Sequence, residues 1–265
     1  MAGSNAIPMT DSSCGPLPYT RTGHGPALLL AHGAGSDIDD SFGPLLDGLA
    51  RDRTVIAPHY PGSGPVPRSA APLDPDALAD RLAVTAADAG FDAFAVLGFS
   101  TGAPLAVRTA VRHPGRVTAL VLSAGFARAN ARLRAALETW RALGALRERR
   151  TLARYLALQV FSARWLDERT PREVEELLDG IAAGLPPGAD DQLDLAMRID
   201  VRADLPAVTA PTLVVSATGD HLTSPWHGRE LAEGIPRARL AELDCGHAIA
   251  AERPADWLAV IRDFL

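Results

Sequence analysis

The chain contains no lysine: every one of its 26 basic side chains, in 265 residues, is arginine. That absence excludes Schiff-base chemistry, a lysine general base and the phosphate-binding lysine of a Walker loop. Cysteine is scarce as well. Cys14 and Cys245 are the only two, too few for a disulfide framework, which predicts a reducing compartment. No apolar run approaches the roughly 20 residues that span a bilayer. The polar segment 1–18 has neither the basic start nor the apolar centre of a secretory signal, so a cytoplasmic location is expected. Basic charge is outnumbered by 32 acidic residues, for a net charge of -6. An acidic chain without a basic tract is expected to bind neither nucleic acid nor an anionic membrane surface. There is no His/Cys/Asp/Glu cluster at metal-ligand spacing and no glycine-rich dinucleotide fingerprint, so no cofactor and no metal are expected. The partner these exclusions leave is a small-molecule substrate, handled by a monomer or homodimer.

What is present reads as globular: 47% hydrophobic and 22% charged residues in a length suited to one large domain. Residues 17–22 and 27–31 read as strands joined at Gly23-His24-Gly25, an antiparallel lead-in. Further strands are expected at 54–57, 94–98, 117–123, 212–216 and 238–243, alternating with helical patterns at about 75–89, 101–113, 224–234 and 254–265. Such alternation predicts an α/β fold with a mostly parallel sheet flanked by helices. Between Phe126 and about Pro206 the pattern is helical only, at about 130–146, 149–162, 171–183 and 189–199, with Thr170-Pro171 as N-cap and first turn. The expected organisation is a flexible N-terminal arm (1–16), a core made of 17–126 and 207–265, and an inserted helical cap (127–206). Arginine dominates 128–154 and acidic residues dominate 167–204. This charge division either holds the cap helices together or turns a basic face toward an anionic substrate.

The chemistry is concentrated in Gly98-Phe99-Ser100-Thr101-Gly102, where an apolar run enters Gly-x-Ser-x-Gly and leaves in a helical pattern. That is the pattern of a nucleophile elbow, a tight strand-to-helix turn that exposes the serine hydroxyl. A serine is a poor nucleophile at neutral pH and needs a base, and the base needs a group that fixes its tautomer. His247 follows the last expected strand on a loop at the sheet edge where Ser100 opens, so it is the candidate base. His113 fits a helix C-cap, His24 belongs to the first turn, His227 lies in a covering helix, and His59 and His221 stand nearer the catalytic edge as alternatives. Asp220 ends the strand after the cap and is the candidate orienting acid, with Asp244 as competitor. The order Ser100, Asp220, His247 differs from the orders of chymotrypsin and subtilisin. The Thr101 N–H begins a helix and is a candidate oxyanion donor. The second donor is expected from His32-Gly33-Ala34-Gly35, with Ala34 as candidate; His32 and Gly33 there, and Trp140 and Phe161 in the cap, are candidate substrate-binding residues.

These residues, with Tyr60-Pro61-Gly62-Ser63-Gly64 and a closing Glu252-Arg253-Pro254 ahead of Trp257, resemble the α/β-hydrolase superfamily of the serine-nucleophile, helical-cap type over nearly all of 17–265. The resemblance departs at His59-Tyr60-Pro61-Gly62-Ser63-Gly64-Pro65, which loses the first Asp and the final Ser of the Asp-x-Pro-Gly-x-Gly-x-Ser that many relatives carry, and at Ser100-Thr101-Gly102-Ala103, where Ser-Met-Gly-Gly is frequent. A serine in the elbow disfavours the dehalogenase and epoxide hydrolase branches, which place aspartate there. The resemblance implies a cofactor-independent serine hydrolase that cleaves a small carboxylic ester, thioester or lactone through a Ser100 acyl-enzyme. Its apolar acyl pocket would come from Leu137, Trp140, Tyr155, Leu158, Phe161 and Trp165. Two alternatives are a cofactor-free lyase or cyclase that uses the triad as a base and cap arginines such as Arg128 and Arg132 to hold an anion, and a ligand receptor with little turnover.

Overall fold

A computed structural model describes residues 15–146 and 148–265. The expected arm (1–16) therefore lies, save its last two residues, outside the described residues, and so does Cys14. Seven strands, β1 (Tyr19–Gly23), β2 (Ala27–Ala31), β3 (Thr54–Pro58), β4 (Phe94–Phe99), β5 (Val117–Ser123), β6 (Thr212–Ala217) and β7 (Ala238–Leu243), form one sheet in the order β1-β3-β2-β4-β5-β6-β7. Every neighbouring pair is parallel except β1 with β3. β1 is antiparallel as expected, but its partner is β3 and not β2. Gly23 and Gly25 (φ 77° and 105°) turn the chain away from β2, and a Cβ on Gly23 would sit 2.3 Å from the Arg53 carbonyl oxygen. The turn thus packs against the backbone leading into β3, a long-range contact with no local sequence mark.

The inner strands are apolar on both faces. In β4, Ala95, Leu97 and Phe99 face one core with α1 (Ile38–Leu49) and α11 (Pro254–Phe264), while Phe94 and Val96 face the other with α2 (Pro75–Asp88) and α3 (Gly102–Arg112). Burial on two faces is why these strands read as unbroken apolar runs. The first core is closed by Trp257, fully buried, whose ring stacks on Phe42 at 5.9 Å and whose Nε1–H donates to Ser123 Oγ at 2.9 Å.

Helix α1 has no counterpart in the expected pattern. Gly43, Pro44 and Gly48 interrupt its periodicity, and Pro44 stands inside it. It forms nonetheless because Asp37 caps its N-terminus by accepting the Asp40 N–H, and because Phe42, Leu45 and Leu49 bury one face. Between β5 and β6 stand α4 (Ala131–Ala145), α5 (Arg149–Val160), the short α6 (Ala163–Asp167), α7 (Pro171–Gly184) and α8 (Ala189–Arg198). Thr170 and Glu173 start α7 with a reciprocal capping box. Arginines of this segment join its helices: Arg150 pairs with Glu175 and Asp179, Arg149 donates to the Ala182 carbonyl, and Arg134 donates to the Met197 carbonyl. After β6 come α9 (Pro225–Gly234) and, past β7, the four-residue α10 (Ile249–Glu252) that precedes α11. No helix among the described residues is long and apolar enough to cross a membrane.

Candidate active site

The strand order reverses direction at β2 and β4, which pair through Ala31 and Gly98 at their carboxyl ends. Loops leaving two such strands diverge and leave a crevice between them. Ser100 stands on one of these loops. Its φ of 53° is a left-handed conformation that a side-chain-bearing residue adopts at a cost of about 1 kcal/mol or more. The turn is held by the Ser100 N–H donating to Ser123 O at 2.9 Å and the Ala103 N–H donating to Ser100 O at 3.0 Å. Its flanking glycines are steric necessities: a Cβ on Gly102 would lie 1.8 Å from the Ala31 carbonyl oxygen, and one on Gly98 2.4 Å from Gly102 O.

His247 Nε2 lies 3.1 Å from Ser100 Oγ, and His247 Nδ1 lies 2.7 Å from Asp220 Oδ2. A carboxylate only accepts, so Nδ1 carries the proton and Nε2 turns its lone pair to the serine hydroxyl. The loops bearing the two residues are tied at their bases, where the Thr218 N–H donates to Leu243 O and the Gly219 N–H to Cys245 O. Asp220 is fixed in turn: its Oδ1 accepts the Leu222 and Thr223 N–H groups at 2.7 and 2.8 Å. Asp244, the competing acid, is engaged elsewhere, with its Oδ1 3.4 Å from the Thr218 hydroxyl. None of the other histidines meets Ser100. His113 stands at the C-terminus of α3, as expected, where its backbone N–H donates to Thr109 O and its ring pairs with Asp80, and buried His227 faces Phe126 and Trp226. His59 and His221 do not line the cavity beside Ser100.

Thr223 was not singled out by sequence. Its hydroxyl, 3% exposed as a residue, lies 2.7 Å from Asp220 Oδ2, 2.8 Å from Ala124 O and 3.1 Å from His247 Nδ1. A threonine three residues after an aspartate is the only local sign of such a contact. Ala124, at φ 44°, is the second strained residue here, and its carbonyl oxygen is the one that meets Thr223.

Across the crevice, a Cβ on Gly33 would come within 3.3 Å of Ser100 Cβ, so the loop approaches the serine closely. Its amides are divided among partners. The Gly33 N–H donates to Ser41 Oγ and the Gly35 N–H to Gln192 Oε1, whereas the Ala34 and Thr101 N–H groups have no acceptor among the described residues and both residues line the cavity. Gln192, buried on α8, also donates to Ser63 Oγ at 2.7 Å, and Ser63 donates to Ser36 O at 2.6 Å. One glutamine thus fastens the 33–36 and 60–64 loops to α8. In a helical stretch flanked by aspartates it reads as solvated, so sequence offered no sign of it.

His32 departs from expectation. It is fully buried and absent from the cavity wall; Nδ1 donates to Gly33 O at 2.8 Å, and Nε2 accepts the Tyr60 N–H at 3.1 Å. Burial pushes its pKa down to about 4, so the neutral ring braces two loops and does not touch a ligand. Cys245 is buried, and burial pushes its thiol up to about 12, which leaves it unreactive.

Above Ser100 lies a cavity of about 580 Å³. Gly33, Leu137, Trp140 and Phe161 line it as expected, joined by Phe126, Leu133, Leu156 and Leu222. Three other expected members do not: Tyr155 donates its hydroxyl to Ala136 O, Leu158 is 63% exposed, and Trp165 stacks on the Phe161 ring and carries the Arg169 guanidinium over its own ring. Among the described residues no arginine lines the cavity, and Arg132 donates to the His221 carbonyl. A basic, anion-binding face is therefore not what this segment presents to Ser100. Asp40 does line it; desolvation raises its carboxyl pKa, opposed by the Ser36 hydroxyl that donates to Oδ2 at 2.7 Å and by nearby His247. Among the described residues no group of three or more His, Cys, Asp or Glu is arranged to hold a metal ion.

Residues 26–254 match the family described as the alpha/beta hydrolase fold, and the chain belongs to it. Pyrrolizixenacetamide deacetylase of Xenorhabdus hominickii is 28% identical over 249 residues, 93% of each chain. A pimeloyl-(acyl-carrier protein) methyl ester esterase of Neisseria meningitidis is 31% identical over 90% of this chain and 93% of its own. Among solved structures, MGS-M2, an alpha/beta hydrolase enzyme from a Medee basin deep-sea metagenome library, superposes with a TM-score of 0.83 at 18% identity over 93% of both chains, a likeness of fold.

Proposed function

We propose that this chain is a cofactor-independent serine hydrolase that cleaves a small carboxylic ester, thioester or lactone through an acyl-enzyme on Ser100. The observation that carries the reading is the continuous line from Asp220 through His247 to Ser100, at 2.7 and 3.1 Å. Ser100 Oγ attacks the carbonyl carbon while its proton passes to His247 Nε2. The imidazolium so formed is stabilised by Asp220, and the oxyanion is received by the Ala34 and Thr101 N–H groups. Collapse breaks the bond to the leaving group, which takes the proton from Nε2. Water then repeats the sequence at the acyl carbon, and Ser100 recovers its proton as the acid departs. α4–α8 acts as a cap whose apolar residues hold the acyl part. The named activities of the esterase and deacetylase relatives support acyl transfer to water as the reaction class.

A screen of p-nitrophenyl esters, acyl thioesters and lactones tests this, with Ser100→Ala as blank. Turnover in at least one class, reduced by about 10⁴-fold or more in Ser100→Ala, is expected. Equal rates in the two proteins would contradict it.

A further inference from the structure

The cavity wall is sorted by polarity. Apart from Ser36 and the cluster of Ser100, Thr101 and His247, its buried members are apolar, Phe126, Leu133, Leu137, Trp140, Leu156 and Phe161 among them. Its exposed members mark the mouth, and they are acidic or small: Asp39 and Asp40 on α1, Gly180 and Gly184 on α7, and Ala251 on α10. A Cβ on Gly180 or Gly184 would meet nothing within 4 Å, so that side of the mouth is open. Asp37 lies just inside. None of the three aspartates has an ion-pair partner among the described residues; Asp37 accepts the Asp40 N–H, and Asp40 accepts the Ser36 hydroxyl. About a tenth of the chain is arginine, yet among the described residues none reaches this wall.

A second feature of the same cavity points to a bound molecule. Thr101 is 3% exposed and lines the cavity, its hydroxyl does not cap α3, and it has no hydrogen-bond partner among the described residues. The residue is buried but its hydroxyl is not among the occluded unpaired polar atoms, so it opens to the cavity and is free to meet a polar group of a bound molecule. Beside Ser100, it would meet a polar atom next to the reacting carbonyl.

Resting on the Ser100 reading above, we propose that the substrate is an ester of an uncharged, apolar acid whose leaving alcohol carries a positive charge. The acid half fills the inner chamber, where a carboxylate or phosphate would be buried without any cation to pair with it. The alcohol half must depart while the acyl group stays on Ser100, so it belongs on the open side, past Asp39 and Asp40. A cation there faces unpaired carboxylates in a partly desolvated mouth, where opposite charges attract more strongly than in bulk water. The net charge of -6 draws cations toward the molecule in the same sense. An anionic leaving group meets the same carboxylates as repulsion.

Three hexanoate esters separate these cases: of choline, of its uncharged isostere 3,3-dimethylbutanol, and of 4-hydroxybutyrate. The kcat/KM is expected to be about tenfold higher for the choline ester than for the neutral one, and about tenfold lower again for the anionic one. The choline advantage is expected to shrink as salt rises from about 20 mM to about 0.5 M. Asp39→Asn, an exposed change, should reduce the ratio, and Asp39→Asn with Asp40→Asn should bring it to about twofold or less. If the neutral ester is hydrolysed in a Ser100-dependent way as fast as the choline ester, or the anionic ester is preferred, this inference fails while the Ser100 reading stands. If none of the three esters is hydrolysed while a thioester or lactone is turned over in a Ser100-dependent way, this inference fails and the Ser100 reading stands; if no ester, thioester or lactone is turned over, both fail.

Discussion

Thr223 is the residue whose replacement best separates position from chemistry. Its hydroxyl and backbone N–H both reach Asp220, and the hydroxyl also borders His247 Nδ1. A hydrogen bond to a charged group contributes about 1.5–3 kcal/mol. Thr223→Val is therefore expected to lower kcat by about tenfold to a hundredfold with KM little changed, and Thr223→Ser to restore most of it; steady-state kinetics on one p-nitrophenyl ester checks both. Two other histidines act through stability. Burial lowers the pKa of His32 and of His227 from 6.5 to about 4, so between these values the unfolded chain binds protons that the folded chain does not. Their contribution is full above pH 6.5 and is lost as pH falls toward 4. The urea midpoint should drop across that window, and His227→Gln should drop less steeply than wild type. Residues with a chemical reason for their type, Ser100, Asp220 and His247, were legible in the sequence. His32 was misread because a histidine beside a glycine loop looks the same whether it faces a ligand or braces the loop from behind.

At the level of elements, the elbow is a contact between backbones. Gly102 lets the start of α3 rest against the end of β2, and a methyl group there would overlap the Ala31 carbonyl. Overpacking backbone against backbone costs about 3 kcal/mol, so Gly102→Ala is expected to lower Tm by about 10 °C, measured by thermal unfolding at neutral pH. The expected positions of all seven strands and of the longer helices of the insertion were legible; burial on two faces gives the five inner strands unbroken apolar runs, and burial of one helical stripe leaves a periodic trace, whereas β1 and β7 are mostly exposed edges. Helix α1 was not, since Pro44 and two glycines break its stripe while tertiary burial of Phe42 and Leu45 holds it. The pairing of β1 was equally hidden: a turn of Gly23-His24-Gly25 suits a hairpin, and only the packing of Gly23 on the approach to β3 directs it elsewhere.

For the molecule as a whole, the sheet's reversal point supplies the crevice, the helices between β5 and β6 roof it, and Gln192 fastens roof to floor. The three residues that meet at the crevice, Ser100, Asp220 and His247, could be placed there from sequence because each follows a strand; the roof's contribution could not, because which of its aromatics turn inward depends on how five helices pack. Phe161 and Trp140 reach the cavity, whereas Trp165 and Leu158 do not. The arginines expected to face a substrate instead join helix to helix, so the cavity keeps an acidic mouth and an apolar interior. The central claim remains the covalent role of one serine. Intact-mass spectrometry after treatment with a fluorophosphonate tests it most directly. Wild type is expected to gain one adduct, mapped to Ser100 by peptide sequencing, with none on Ser100→Ala and slow labelling of His247→Ala. An adduct of equal yield on Ser100→Ala, or an unlabelled wild type that still turns over ester, would contradict the account.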